Sequence, residues 1–496
     1  MLTLRQVGVG VKGGAEAMVH AARAFVASAS PSQALVKLDF TNAFNSVRRD
    51  AIFEAVADKI PEMLPYVLSS YESPSTLFHG VYSLQSSEGV QQGDPLGPLL
   101  FCLAIAPILE QSGCAFSVGY LDDIILGDTV ESLVAEVARF RMEASRVGLT
   151  LNESKCEIVG LSKEARPEWK SSCLTFSEPS LAVASLLGAP LSSDGFMSAL
   201  THHQDAFTLL GERLGLLSAH EALFLCGSSL TMPKWLHLLR SSPSWSSPGL
   251  VSIDRTQWNF LSETLNIPLS ANSWTQASLP VRWGGLGVRS IEDLAPSAFL
   301  ASAHLSRPLV VQLLSPVSLA AFDACMSDAM HQWSSIGEVT PPDLALRTSQ
   351  KAWDDSICSL RMQQLLHAAS GADRARLIAA NAPGSGSWIQ ALPCANLGLR
   401  LSNQEIGIAA GLRVGAHIVA GHSCVCGVPV LPDGRHGLSC RKSAGRQSRH
   451  HAVNDIIARA LRSTGVPAIL EPPGLLRGKA RGQTAQPSSR GLKVGP

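Results

Sequence analysis

The sequence predicts an α+β fold for its first 160 residues and a mostly helical remainder that contains a small cysteine-rich segment. Three observations carry this. Up to about residue 160, stretches with apolar residues at helical spacing alternate with short β-prone runs, in an order whose strands must pair non-sequentially. From about residue 200 the β signal fades. Residues 422–440, HSCVCGVPVLPDGRHGLSC, concentrate Cys, Gly and Pro.

The elements follow in order. Residues 15–28, AEAMVHAARAFVAS, have helical periodicity, and ASPSQ breaks it. ALVKLDF at 34–40 is a β run carrying Asp39, and TNAFNSVRRDAIFEAVADKI after it reads as one helix. Residues 79–95 have the irregular polarity of a hairpin or loop, after which Asp94 as N-cap and Pro95 at the first position open an apolar helix to about 111. AFSVGYLDDIILGD at 115–128 reads as two β runs about a tight turn. A helix at about 129–147 follows, then a loop and strand at 148–160. Beyond 200 the periodicity is helical, with a turn-rich connector at 241–249, Pro/Gly breaks through 255–420, and a basic helix at 446–463.

The 496 residues are 46% apolar, enough for the cores of two to four domains. Forty Lys+Arg balance forty Asp+Glu, so a nucleic-acid partner must be argued from local patches rather than net charge. Eleven scattered cysteines, of which only Cys424, Cys426 and Cys440 cluster, favour a reducing compartment with one metal site over a disulfide framework. No secretory leader is read in MLTLRQVGVGVKGG, and PLGPLLFCLAIAPIL at 95–109 is too short to span a bilayer. The expectation is an intracellular protein, nuclear or cytoplasmic, without a membrane partner. Its oligomeric state is not legible.

GYLDDIIL at 119–126 sets Asp122 beside Asp123 in an otherwise apolar, β-prone stretch. Adjacent carboxylates repel, which raises one pKa or calls for a counter-charge. An isolated pair is more often a solvated turn, but strands ending together would bring Asp39 to the same place. Three such oxygen donors select Mg²⁺ or Mn²⁺, and a two-ion site suits nucleotidyl transfer.

VKLDFTNAFNSV (36–47), EGVQQGDPLGPLLFCLAI (88–105), GYLDDIIL (119–126), GLTLNESKCEI (148–158) and SLLGAPL (185–191) together resemble, in order and spacing, the palm motifs of reverse transcriptases of non-long-terminal-repeat retrotransposons. The resemblance implies a right-hand polymerase palm, an antiparallel sheet with helices, plus partial fingers and a helical thumb. It also implies two Mg²⁺ ions held by Asp39, Asp122 and Asp123, with the Phe40 carbonyl as a further ligand. The implied substrates are dNTPs, an RNA template and a DNA primer. By the same resemblance Phe44 is a steric gate against the ribose 2′-hydroxyl, and Gln92 and Gly93 face the incoming nucleotide. Lys155 assists the leaving pyrophosphate, and Leu187 and Gly188 form the primer-grip turn. Helix packing for Phe44 and a solvated loop for Lys155 are the plainer alternatives.

Lys234, Trp235, His237 and Arg240 in PKWLHLLR are candidates for a basic-aromatic face on nucleic acid, against the alternative of an amphipathic core helix. Cys424, Cys426, His436 and Cys440 supply a tetrahedral Zn²⁺ set, with His422, His450 and His451 as substitutes. Arg446 and Arg449 belong to the basic run after it, offered to phosphate backbone. This part resembles the zinc knuckle and the start of the restriction-like endonuclease of site-specific retrotransposons, with no aspartate after Asp455 to complete a nuclease.

The expected layout is partial fingers and palm at 1–195, thumb at 196–300, helical linker at 301–420, knuckle and nuclease start at 421–472, and a disordered tail at 473–496. With 38 residues before Asp39, the expectation is a chain truncated at both ends. Two functions stay open: RNA-directed DNA polymerase, or an inactive remnant that keeps the fold and nucleic-acid binding.

Overall fold

Helix α1 (Gly14–Ser28) leads into β1 (Gln33–Leu38), then α2 (Ala43–Ser46), α3 (Arg49–Lys59) and α4 (Leu64–Tyr71). A ribbon β2–β3 (Ser75–His79, Tyr82–Ser86) precedes α5 (Gly97–Glu110), the hairpin β4–β5 (Phe116–Tyr120, Asp123–Thr129), α6 (Val130–Arg146), β6 (Glu157–Val159) and α7 (Arg166–Ser172). This computed structural model describes residues 5–173, 175–443, 445–470 and the backbone of 493–494, the side chain of Arg446 excepted.

The sheet is antiparallel in the order β4-β5-β1-β6, so β1, first in sequence, is central. That explains its run of apolar residues: both faces of β1 are buried. Leu35, Phe116 and Ile125 face one core with α1, whereas Val36, Leu38, Ile124, Leu126 and Ile158 face a second core with α5 and α6. A one-residue slip would exchange the two sets, so the pairing Leu38 with Ile124 is held by burial on both sides.

Beyond a two-residue-strand hairpin β7–β8 (Ser185–Leu186, Ala189–Pro190) the chain is helical: α8 (Ser193–Leu214), α9 (Ala219–Leu225), α10 (Met232–Ser241), α11 (Pro248–Leu265), α12 (Ala271–Ala277), α13 (Ile291–Leu313), α14 (Pro316–Ser335) and α15 (Gln350–Ala368). The expected boundaries at 195 and 300 fall inside α8 and α13. Helices α10, α13, α14 and α15 share the core of α1, through Trp235, Phe299, Trp333 and Trp353. Asp254 of α11 accepts hydrogen bonds from Ser290 Oγ at 2.6 Å and the Ile291 amide at 2.7 Å, capping α13.

Three local expectations are corrected. The helix expected after Asp39 is two, because Val47 is extended and its carbonyl accepts the Gly89 amide at 2.9 Å. The ribbon at 75–86 begins before the expected hairpin. Helix α5 starts at Gly97, not Pro95: Asp94 accepts the Leu96 amide at 2.9 Å and the Tyr71 hydroxyl, so it holds the preceding loop instead of capping a helix. The tail from 473 lies outside the described residues, except that Lys493–Val494 pair with Ala468–Ile469.

Candidate active site

Register brings the aspartates together. With Leu38 opposite Ile124 and Tyr120 opposite Asp123, the next residue of the first strand, Asp39, reaches the β4–β5 turn that carries Asp122 and Asp123. The carboxylates share one field. Asp39, half-buried, has its pKa raised by burial, pulled back by the Lys155 ammonium and raised again by the Asp122 charge. Asp123 is raised by desolvation first and then by Asp122, with Lys37 opposing and Asp39 adding to the rise. Lys37 is itself tied to Glu157 at 2.8 Å. Hard oxygen donors in mutual repulsion suit a divalent cation of the Mg²⁺ type. Among the described residues, the one His/Cys/Asp/Glu group with its donor atoms within 4.8 Å of one another is a Cys/His set.

The other expected residues lie on segments bonded to this turn or strand. The Phe40 backbone bridges to Leu151, and the Asp39 carbonyl accepts the Asn152 amide at 2.8 Å, which brings the loop of exposed Lys155 alongside. The Val90 amide donates to the Phe44 carbonyl at 2.8 Å, joining the Gln92–Gly93 loop to α2. Gln92 and Gly93 are exposed, and Gly93 has φ 92°, a backbone setting that glycine adopts readily. The Phe44 ring stacks on Phe101 of α5, centroids 4.5 Å apart, so packing as well as any gating role holds it. Leu187 and Gly188, with φ 50° and 78°, make the tight β7–β8 turn, and His237 of α10 bonds the Leu187 carbonyl at 2.9 Å.

Of the face expected on α10, the structure keeps only part. Lys234 and His237 are exposed. Trp235 is 1% exposed and packs near Phe207, and Arg240 forms a two-pronged ion pair with Glu16 of α1. Both serve cohesion, because α10 turns its apolar side to α1 and α13 and cannot offer it to a ligand as well.

Cys424, Cys426, His436 and Cys440 place one donor atom each within 4.8 Å of the others, with Cys426 Sγ 3.2 Å from His436 Nε2. A tight turn closes Cys424 onto Val428 and Gly427, and the Cys424 thiol is drawn down to about 6, first by the Cys426 amide. Three thiols and an imidazole in this arrangement fit Zn²⁺. His422 is not in the set. Arg449 is exposed and donates to the Leu438 carbonyl at 3.0 Å, joining the basic helix Gly445–Ser463 to this segment. The Arg446 side chain lies outside the described residues.

Residues 9–212 match the family described as reverse transcriptase (RNA-dependent DNA polymerase). That stretch is a reverse transcriptase domain. The chain is also 25% identical over 457 residues to the retrotransposable element SLACS 132 kDa protein of Trypanosoma brucei gambiense, covering 88% of this chain and 34% of that protein. It is 30% identical over 141 residues to a Pol polyprotein from the type-1 element R2 of Nasonia vitripennis, covering 25% of this chain and 14% of that protein. It is 27% identical over 291 residues to the R2DM polyprotein of Drosophila melanogaster, covering 53% and 27%. The chain thus spans about a third or less of each relative. Among the described residues, no helix is long and apolar enough to cross a membrane.

Two side chains, one holding the aspartate turn and one the loop before α5, were not singled out from sequence. Gln6 is fully buried, and its side-chain amide donates to the Leu121 carbonyl at 3.1 Å while its oxygen accepts the Leu121 amide at 3.0 Å. Leu121 is the turn residue with φ 58°, a setting costly for a branched side chain, and Gln6 secures both its backbone groups. Gly8 lies so close that an added Cβ would sit 2.5 Å from the Leu121 nitrogen. Arg49, also buried, donates to the carbonyls of Gly89 at 3.2 Å and Tyr71 at 3.0 Å, fixing the base of the Gln92–Gly93 loop. The only sequence-level signal is a polar residue with no solvent-facing pattern. Gln6→Ala should lower stability by about 1–3 kcal/mol in urea denaturation, since it strands both backbone groups of Leu121.

Proposed function

We propose that this chain is an RNA-directed DNA polymerase that extends a DNA primer on an RNA template with dNTPs. The observation that carries this is the register of β1 against β5, which brings Asp39 to the Asp122–Asp123 turn within a reverse transcriptase domain. Two Mg²⁺ ions, or Mn²⁺, bound there would activate the primer 3′-hydroxyl and offset charge on the departing pyrophosphate.

The chain's own residues align and select. Asp39, Asp122, Asp123 and the Phe40 carbonyl supply the oxygen ligands. Phe44 crowds a ribose 2′-hydroxyl, with its ring orientation set by the stack on Phe101. Gln92 and Gly93 let the nucleotide and template base approach the backbone closely. Lys155, the cation whose charge opposes the rise at Asp39, steadies or protonates the leaving pyrophosphate. Leu187 and Gly188 hold the primer end, and the helices after residue 195 act as the thumb, with Lys234 on the phosphate backbone. The Cys/His quartet binds Zn²⁺ as a knuckle, and Arg446 and Arg449 extend the nucleic-acid contact.

Primer extension on an RNA template with dNTPs and Mg²⁺ should give product, and Asp122→Asn should reduce it by at least a thousandfold with primer–template affinity retained. Binding without extension by the parent chain would leave the inactive-remnant reading instead. Metal linkage gives a second check. In EDTA at pH 7, Asp39→Asn should melt higher than the parent, by roughly a degree, because it removes a carboxylate whose charged form is disfavoured in the fold. The sign is fixed by the raised pKa: the penalty exists above the folded-state pKa and disappears as pH falls below the ordinary aspartate value, so the two melts converge near pH 3. Mg²⁺ should raise the parent's melting temperature and leave the variant's unchanged. For the quartet, purified protein should carry about one zinc by elemental analysis, and Cys424→Ser should lose it.

A further inference from the structure

A cavity of about 370 Å³ lies on the α1 side of the sheet, between α1, the end of the β7–β8 hairpin, α13 and α14. Its walls are mostly apolar, including Ala24, Leu191, Phe299 and Phe322, and Arg23 of α1 lines it. Arg23 is the cavity's anomaly. One guanidinium nitrogen donates to the Pro190 carbonyl, and among the described residues no carboxylate pairs with it. Burial pulls its pKa down to about 10, which still leaves it charged at neutral pH.

The neighbouring acids are already committed. Glu16 is held by Arg240 and by Ser302 at 2.7 Å, Asp328 accepts the Trp245 indole at 3.0 Å, and Asp323 pairs with Arg307. The other titratable groups on the wall are uncharged at neutral pH. Burial drives His20 down to about 3 and pushes the Cys325 thiol up to about 11. The cavity therefore presents one positive charge on an apolar wall, a placement that costs free energy unless an anion compensates it.

We infer that this cavity binds a small organic anion with one carboxylate on an apolar body, its carboxylate set against Arg23. A planar guanidinium matches a carboxylate through paired N–H donors, and with one nitrogen on Pro190 the others remain for a ligand. A single cation balances a singly charged group, whereas a dianionic phosphate would bring excess charge into apolar surroundings. The volume lies in the range of small-molecule sites and suits one compact ligand. The site is separate from the aspartates: Arg23 lines a cavity beside the core shared with α13 and α14, and Asp39 follows a strand end, Leu38, on the core of α5 and α6.

The test is calorimetric titration of the full chain with octanoate, with octanol and inorganic phosphate as separate arms. Octanoate should bind saturably at one site per chain, with octanol at least tenfold weaker and phosphate silent. Arg23→Met should weaken octanoate at least tenfold while its unliganded melting temperature stays equal or rises, because the substitution removes an uncompensated charge. Ala321→Leu, which narrows the cavity and leaves Arg23 in place, should weaken octanoate too. Absence of octanoate binding, equal affinity for octanol, or undiminished binding in folded Arg23→Met would overturn the assignment.

Discussion

Antiparallel pairing of β1 with β5 is the constraint on which the rest of the structure depends. It is strong because the central strands are buried on both faces, so each register position satisfies two cores at once. The register then does something that no local preference would do: it carries Asp39 to a turn that already holds two carboxylates. Burial first, and then repulsion from Asp122, raises the pKa values of Asp39 and Asp123. Burial energy elsewhere in the sheet outweighs that cost, which is how a fold can keep a site that is poor for stability and suited to cations.

Backbone at this site is held by side chains that perform no chemistry. Gln6 ties both polar groups of Leu121, and Arg49 ties the loop before α5 to Tyr71 and Gly89. Such clamps matter because the proposed nucleotidyl transfer would ask the protein mainly for alignment, and loops left to themselves would not hold it. Helix α1 plays the larger version of this part. One side of it covers the sheet, another receives α13 and α14, and the Glu16–Arg240 ion pair joins it to α10. The helical region is thereby built onto the sheet by a shared core, and the orientation of the exposed Lys234 and His237 follows from which side of α10 that core claims.

Much of this was legible in the residues. The periodicities of 15–28, 34–40, 115–128 and about 129–147 named the type of their elements correctly, because each has one or two faces whose burial leaves a repeating trace. The LDD turn and the Cys/His spacing were legible as chemistry. Trp235 and Arg240 were misread as a nucleic-acid face: an aromatic and a cation on an amphipathic helix give the same pattern whether they meet a ligand, a core or an acid of another helix. The break at Val47 and the commitment of Asp94 to Tyr71 were not visible either, because each depends on a partner more than 20 residues away in sequence.

The sequence by itself determined the central strands of the sheet and the helices α1 and α6 beside it, the presence of three carboxylates in motifs that resemble reverse transcriptases, and a four-donor set with metal-ligand chemistry. These follow from side-chain type and short spacing, which act over a few residues. Tertiary structure alone decided that Asp39 meets the Asp122–Asp123 turn, that Gln6 secures it, that Trp235 is core, and that Arg23, beside an apolar cavity, has no carboxylate partner among the described residues. Each of those is a contact between segments remote along the chain, set by how two cores and their hydrogen-bonding groups are satisfied together rather than by any local preference.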